Sequence, residues 1–175
     1  MEKFHDQFEF SGVALTRSHP RNRLMRGFTL IEAMIVMVVI AILAAIAYPS
    51  YQGQVRKSRR SDAIAFMTQA QQAQERWRAN NASYTSTLGA GGLGITDANS
   101  SGGYYSLATA AGAGGLAATN FTVTATAQGT QTADAGCQAM RIQNATGTVS
   151  YWAGATVGAL ANSATDAAAR RCWNR

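Results

Sequence analysis

The side chains best suited to chemistry are few in this sequence. The only histidines, His5 and His19, fall within the first 19 residues, and the only cysteines are Cys137 and Cys172. If that segment is removed or disordered, the remaining chain lacks the imidazole group that nucleophilic triads and His-ligated metal sites need, and two thiolates cannot complete a four-ligand zinc site. The inventory therefore argues against an enzyme, and we expect neither a cofactor nor a bound metal.

One carboxylate, Glu32, lies inside a long apolar run. Residues 28–48 read FTLIEAMIVMVVIAILAAIAY, and Glu32 is their only charge. About 20 apolar residues span a bilayer as a helix, and a carboxylate within such a helix is costly unless it is paired. The run predicts a membrane-spanning helix, with a secretory signal as the alternative. Glu32 is then either a functional group or a side chain that reaches the headgroups.

Basic residues flank the run on both sides, so that charge alone does not orient it. Arg26 lies closest to the apolar edge, which favours a cytoplasmic N-terminus. The downstream cysteine pair favours an extracytoplasmic C-terminal part, where a disulfide persists. Four bases that follow the span are interpreted as contacts with lipid headgroups: Arg56, Lys57, Arg59 and Arg60.

The segment Arg26-Gly27-Phe28-Thr29-Leu30-Ile31-Glu32 resembles the class III signal of type IV pilins and their relatives. The resemblance implies that a prepilin peptidase cuts between Gly27 and Phe28 and then methylates the new N-terminus. Residues 1–27 would be the leader, with Met25 as an alternative start to Met1. Glu32 corresponds to the glutamate of the family's assembly helix, and Pro49 to its helix proline.

Cleavage would create an α-amine on Phe28, four residues before Glu32. In an assembled filament, this amine could meet the Glu32 carboxylate of a neighbouring subunit. Opposite charges are tolerable in an apolar core only as a pair, so that such a pair would set the register of the subunits more than it would add stability.

Beyond the span, the pattern predicts one long helix followed by a small sheet. Apolar residues recur at helical spacing from Ala63 to Trp77, and the helix is expected to run from Phe28 to Asn80. Residues 82–118 are expected to form loops with a short strand at 104–107. Strands are expected at 120–127, 138–143 and 148–152, the first with one buried face. The predicted fold is α+β and type IV pilin-like: a long N-terminal helix, half of it transmembrane, packed on an antiparallel β-meander.

Cys137 and Cys172 bracket the last predicted strands and the tail. A disulfide between them would close a loop of about 35 residues and contribute roughly 4 kcal/mol in the chain-entropy model. Two free buried thiols are the alternative. The resemblance agrees with the disulfide, because many pilins close a C-terminal loop in this way. The expected domains are the leader 1–27, the hydrophobic transmembrane and assembly helix 28–54, and a globular headgroup 55–175.

The resemblance implies a structural subunit of a type IV pilus. The chain would cross the inner membrane once, with a cytoplasmic N-terminus, and would later enter an extracellular filament. Its partners would be other pilin subunits through the N-terminal helix, the prepilin peptidase and the inner-membrane assembly machinery. The ending Cys172-Trp173-Asn174-Arg175 looks more like PilE-type minor pilins than major pilins, which favours a minor pilin acting in adhesion, twitching motility or DNA uptake.

Three alternatives to that function stay open: a major pilin, a DNA-binding minor pilin of a competence system, and a pseudopilin of a type II secretion system. DNA or partner contact would fall on the tail, where Arg170, Arg171 and Arg175 surround Trp173. Basic and aromatic side chains together suit phosphate contact and base stacking.

Overall fold

The computed structural model describes residues 27–112 and 119–173. Its elements follow one another along the chain as helix α1 (Leu30–Asn80), strands β1 (Tyr105–Ala111) and β2 (Asn120–Ala127), a 3-10 helix (Gly129–Ala133), strands β3 (Ala139–Ala145), β4 (Thr148–Gly154) and β5 (Leu160–Asn162), and helix α2 (Ala167–Cys172). Contacts divide the chain into two compact units, one up to Ile42 and one from Leu43 onward. The leader residues 1–26 and Arg175 lie outside the described residues.

In the first unit, helix α1 begins at Leu30 instead of the expected Phe28. The backbone N–H of Glu32 donates to Thr29 Oγ1 at 3.3 Å, so that Thr29 caps the helix. Thr-x-x-Glu is the sequence pattern of a capping box, and it marks this start. The apolar side chains that follow are exposed, Leu30 at 80% and Met37 at 70%. By length and composition, α1 contains a stretch that could cross a membrane.

In the second unit, one face of α1 is buried at the expected helical spacing. Ala63, Met67, Ala70 and Ala73 are all within the core, which confirms the predicted apolar stripe. Gln74 is also fully buried, which the pattern did not predict. The helix ends at Asn80 as expected.

The sheet is an antiparallel meander in the order β1-β2-β3-β4-β5, which confirms the predicted topology and adds a fifth strand to it. Strand β2 has the expected bounds. Strand β1 is longer than expected and extends into residues that were assigned to a loop. Strand β5 and helix α2 were not predicted, because three and six residues are too short to show a period.

Strand β2 is buried on both faces, and the prediction of a single buried face is wrong. Phe121 and Val123 face the helix, yet Thr122 and Thr124 on the opposite face are only 6% and 8% exposed. Strands β1 and β3 flank β2, and Arg141 of β3 extends across it to donate from Nε to Thr124 Oγ1 at 3.1 Å. A small side chain on a central strand is covered by its larger neighbours.

The core joins the helix stripe to the inner face of the sheet. Met67 of α1 packs in one cluster with Tyr105, Phe121, Met140 and Ile142 of the first three strands. The predicted disulfide is present, with a Cα–Cα distance of 5.5 Å between Cys137 and Cys172. The α+β, pilin-like architecture is therefore confirmed.

Candidate nucleic-acid interface

The fold brings two basic segments together that are far apart in sequence. Arg60 Nη1 on α1 donates to the backbone oxygen of Arg171 on α2 at 3.1 Å, across 111 positions of the chain. We call this surface the basic end and define it by six residues: Arg56, Lys57, Arg59, Arg60, Arg170 and Arg171.

An ion pair fixes the centre of the basic end. Arg60 Nε donates to Asp134 Oδ2 at 2.7 Å and Nη2 donates to Oδ1 at 3.1 Å, with side-chain exposures of 15% and 7%. This fork-to-fork geometry is stronger and more directional than a single contact. The Asp134 carboxylate compensates the charge of Arg60, and the ion pair fixes the position of this side chain within the basic end.

A buried polar cluster supports the ion pair from inside. Gln131 Nε2 lies 3.0 Å from Asp134 Oδ2 and 3.1 Å from the Tyr105 hydroxyl oxygen, and it donates to these acceptors. Burial, partly offset by the hydrogen bond from Gln131, raises the pKa of Tyr105 to about 12. The phenol therefore stays neutral at physiological pH and keeps its place in the cluster.

The bases of the basic end that lie on α1 are not all available to lipid, which corrects their interpretation as contacts with lipid headgroups. The Arg59 guanidinium lies 4.0 Å above the ring centroid of Tyr104, and its Nη1 donates to Thr130 Oγ1 at 2.9 Å. Arg59 and Arg60 are therefore both held by side chains of the second unit. Lys57, by contrast, is exposed, and its ammonium has no partner among the described residues.

The tail is divided between surface and core. Arg170 is exposed and donates from Nε to Ser163 O at 3.2 Å and from Nη2 to Ala164 O at 3.3 Å. The Arg171 side chain is exposed and unpaired within the described part of the chain. Trp173 is only 5% exposed and packs edge-on against Tyr151 at 5.0 Å. The structure therefore removes Trp173 as a stacking surface, and Arg175 lies outside the described residues.

The residues expected to act in processing and assembly sit at the start of α1. Gly27, Phe28, Thr29 and Glu32 line one depression of about 420 Å³, and the Phe28 side chain is 80% exposed. Glu32 lies in the first helical turn, where the helix dipole favours a carboxylate. Pro49 lies farther along the same helix and removes one backbone donor from its ladder.

Sequence reasoning noted a Gln…Asp…Cys pattern that begins at Gln131 as part of the likeness to minor pilins, but assigned these residues no role in organising the basic end. Gln131 and Asp134 lie three positions apart just before Cys137, and their partners come from α1 and β1. The only local signal was a pair of polar residues beside a cysteine in an otherwise Ala-rich stretch.

Two family models match the chain. Residues 22–48 match a model described as a prokaryotic N-terminal methylation motif. Residues 49–141 match a model described as type IV minor pilin ComP, DNA uptake sequence receptor. No curated protein gives a significant match.

The two matches decide between the alternatives left open by the sequence. They support a minor pilin of DNA uptake over a major pilin or a secretion pseudopilin. Pilin families are structural, and the class III signal with its apolar helix fits a subunit that is membrane-anchored before it enters a pilus. Since the second model covers just over half of the sequence, the chain belongs to the ComP family of type IV minor pilins.

Proposed function

We propose that this minor pilin binds DNA at its basic end and presents it on a pilus during DNA uptake, without a catalytic step of its own. The observation that carries the proposal is the hydrogen bond from Arg60 to Arg171, which unites the bases of α1 and α2 in one surface. The family description as a DNA uptake sequence receptor supports the same ligand.

Charge favours an anionic polymer as the ligand. After residue 54, the chain carries ten Lys and Arg residues against five Asp and Glu residues. Asp134 at the basic end is already paired with Arg60, so that Lys57 and Arg171 contribute uncompensated charge. Such cations bind phosphates and release counterions, and this term supplies most of the non-specific affinity for DNA.

Processing and assembly complete the proposal. Prepilin peptidase cuts between Gly27 and Phe28 and methylates Phe28, and the N-terminus is cytoplasmic before assembly. Residues 28–54, which include Pro49, form the membrane and filament helix, and residues 55–175 form the headgroup. In the filament, the Phe28 amine of one subunit pairs with Glu32 of the next. The exposed Phe28 and the position of Glu32 in the first helical turn support this assignment.

The test compares how DNA affinity responds to loss of charge at the basic end and to loss of charge farther along α1. In the full chain in neutral-detergent micelles, Lys57→Gln with Arg171→Gln is expected to weaken duplex binding roughly tenfold or more, and to reduce the slope of log Kd against log salt by about two. Arg76→Gln is the control for one lost charge, to be compared with Lys57→Gln and Arg171→Gln as single variants, because Arg76 is exposed and lies about 24 Å along α1 from Arg60. An unchanged affinity and slope in the double variant would exclude the basic end as the DNA surface.

A competition experiment tests the receptor role. Fragments of the genome of the source organism should displace a labelled duplex at lower concentration than fragments of equal length from an unrelated genome. Equal displacement would leave a non-specific DNA-binding pilin in place of a receptor for an uptake sequence.

A further inference from the structure

The outer face of the sheet, opposite α1, carries a second set of groups suited to nucleic acid. We propose that this face binds a single strand by stacking one unpaired base on Trp152, with Arg141 and Arg170 contacting the phosphates on either side. The inference deepens the proposed function and rests on it. It names single-stranded nucleic acid as the ligand class of this face. Of the residues involved, only Arg170 also belongs to the basic end.

The strand register places these groups in one row across the sheet. Side chains alternate between the two faces of a strand, and Met140, Ile142, Tyr151 and Ala153 belong to the core on the helix side. Arg141 and Trp152 therefore lie on the opposite face, where they are direct cross-strand partners, and Trp152 is in turn opposite Asn162.

The charge of the strands suits a polyanion. The five strands contain no Asp or Glu, and Arg141 is their only charged residue. Apart from Leu160 of β5, the rest of the outer face is formed by hydroxyl, amide and small side chains, such as Thr124, Gln143 and Ser150. A phosphate above this face meets a cation and hydrogen-bond donors without a repelling carboxylate in the sheet.

Both key side chains are held in place before a ligand arrives. Trp152 Nε1 donates to Ser150 Oγ at 2.9 Å, which fixes the indole plane. Arg141 uses Nε for Thr124 and keeps its two terminal nitrogens without partners among the described residues. Side chains that are already ordered lose little entropy on binding, which favours this pair as a contact.

The edge of β4 is open along the part of the strand that precedes Trp152, and Trp152 itself does not line the depression found there. Strand β5 pairs only with Trp152, Ala153 and Gly154, and no strand covers the earlier part of β4 on that side. A depression of about 480 Å³ lies there, lined among others by Ser150, Asn162 and Arg170. Arg170 lines this depression at the open edge of β4, whereas Arg141 lies on the β3 side of Trp152.

Stacking selects a single strand. Within a duplex, the faces of the bases are already covered by their neighbours, whereas an unpaired base offers a π-face to an aromatic ring. Base–aromatic stacking is tolerant of sequence, so that this site would add affinity without reading an uptake sequence.

The test uses a short fluorescent oligo(dT) and a duplex of equal length with the full chain in neutral-detergent micelles. Trp152→Leu keeps an apolar side chain and removes the ring, and it is expected to weaken oligo(dT) binding roughly 5- to 100-fold while duplex affinity changes less than about twofold. Trp152→Phe should regain part of the loss. Arg141→Gln should weaken oligo(dT) binding more than the control Arg76→Gln does.

An abasic oligonucleotide completes the test as a matched probe. It keeps the phosphates and lacks the bases, so that the wild-type chain should bind it more weakly than oligo(dT), and Trp152→Leu should bind both alike. Unchanged oligo(dT) affinity in both Trp152→Leu and Arg141→Gln overturns the inference, as does an equal loss for oligo(dT) and duplex.

The two proposals fail separately. If the Lys57 and Arg171 changes leave duplex binding intact while oligo(dT) binding depends on Trp152, the basic end is wrong and the sheet site stands. If duplex binding depends on Lys57 and Arg171 while oligo(dT) binding is unaffected by the changes at Trp152 and Arg141, the proposal for the sheet is wrong and the proposal for the basic end is supported. Thermal unfolding of each variant identifies a loss caused by misfolding, and the Arg141→Gln result then decides.

Discussion

Gln74 is a polar side chain on the buried stripe of α1, and its partners explain its place there. Its Nε2 donates to Thr85 O at 2.6 Å and to Thr109 Oγ1 at 2.8 Å, while Oε1 accepts from the Thr85 N–H at 3.2 Å. Gln74→Leu should lower the free energy of unfolding by about 2 kcal/mol, since it leaves these groups buried without partners.

The matched control for that prediction is Gln72→Leu, because Gln72 is exposed two residues away on the same helix. Urea unfolding of both variants measures the difference. Equal stability of the two variants would show that the Gln74 hydrogen bonds add nothing.

Tyr105 gives the fold a sensitivity to alkaline pH. Burial raises its pKa to about 12, above the value of 10.0 expected in the unfolded chain. Because the folded pKa is the higher one, the stabilisation is fully present below pH 10 and is lost as pH rises towards 12. Tyr105→Phe should therefore flatten the decline of melting temperature between these two values, as followed by circular dichroism. A decline as steep as in the wild-type chain would contradict the assignment.

At the residue scale, the sequence predicted which face of an element is buried better than it predicted the surroundings of individual side chains. Helical spacing identified the side of α1 that Ala63 and Met67 bury, because burial of small apolar groups follows the helical period. It could not identify Gln74, whose burial depends on Thr85 and Thr109, 11 and 35 positions away. The prediction that Trp173 is available for stacking was wrong for the same reason, since Tyr151 of strand β4 covers its side chain.

Between elements, the Arg60–Asp134 ion pair holds the start of the disulfide loop against α1. Asp134→Asn should lower the free energy of unfolding by about 2–4 kcal/mol, because it leaves a largely buried guanidinium without its counter-charge. It should also weaken duplex binding, in spite of the net positive charge that it adds to the basic end, because Arg60 no longer fixes Arg171. Denaturant unfolding and duplex affinity are measured on the same samples.

Asp97→Asn serves as the control for the Asp134 variant, because Asp97 is exposed and accepts only from Asn99 nearby in the chain. It should be nearly neutral in both assays. If Asp134→Asn behaves like this control, the ion pair does not organise the basic end.

Elements with a strong period were predictable, and short elements were not. Strand β2 alternates apolar residues with Thr and Asn, which fixed its bounds from Asn120 to Ala127. Strand β1 is rich in Ala, Ser and Thr, so that much of it resembled a loop. Strand β5 and helix α2 depend on contacts with β4 and on the N-cap Asp166. Neither feature produces a periodic pattern in the sequence. The basic end joins bases of α1 to bases of the unpredicted helix α2, so that the sequence did not show it as one surface.

For the whole molecule, we propose that Glu32 links processing to assembly of the filament. Glu32→Ala should still insert into the membrane, because the rest of the apolar run is unchanged, yet it should be scarce in filaments. Quantitative mass spectrometry of sheared filaments reads the subunit fraction and the N-methylated Phe28 peptide together. Glu32→Asp is the control that keeps the charge. Wild-type abundance of Glu32→Ala in filaments would exclude pairing with the Phe28 amine.

The disulfide has a mechanical consequence for a pilus that is pulled while it holds DNA. If tension enters through α1 and leaves through a ligand at Arg171, the Cys137–Cys172 bond removes the 33 residues from 138 to 170 from the load path. At about 3.4 Å per extended residue, roughly 110 Å of chain is thereby protected from extension. Tension then falls on the contacts between α1, Asp134 and α2, so that the headgroup resists stretching at the place where it holds its cargo.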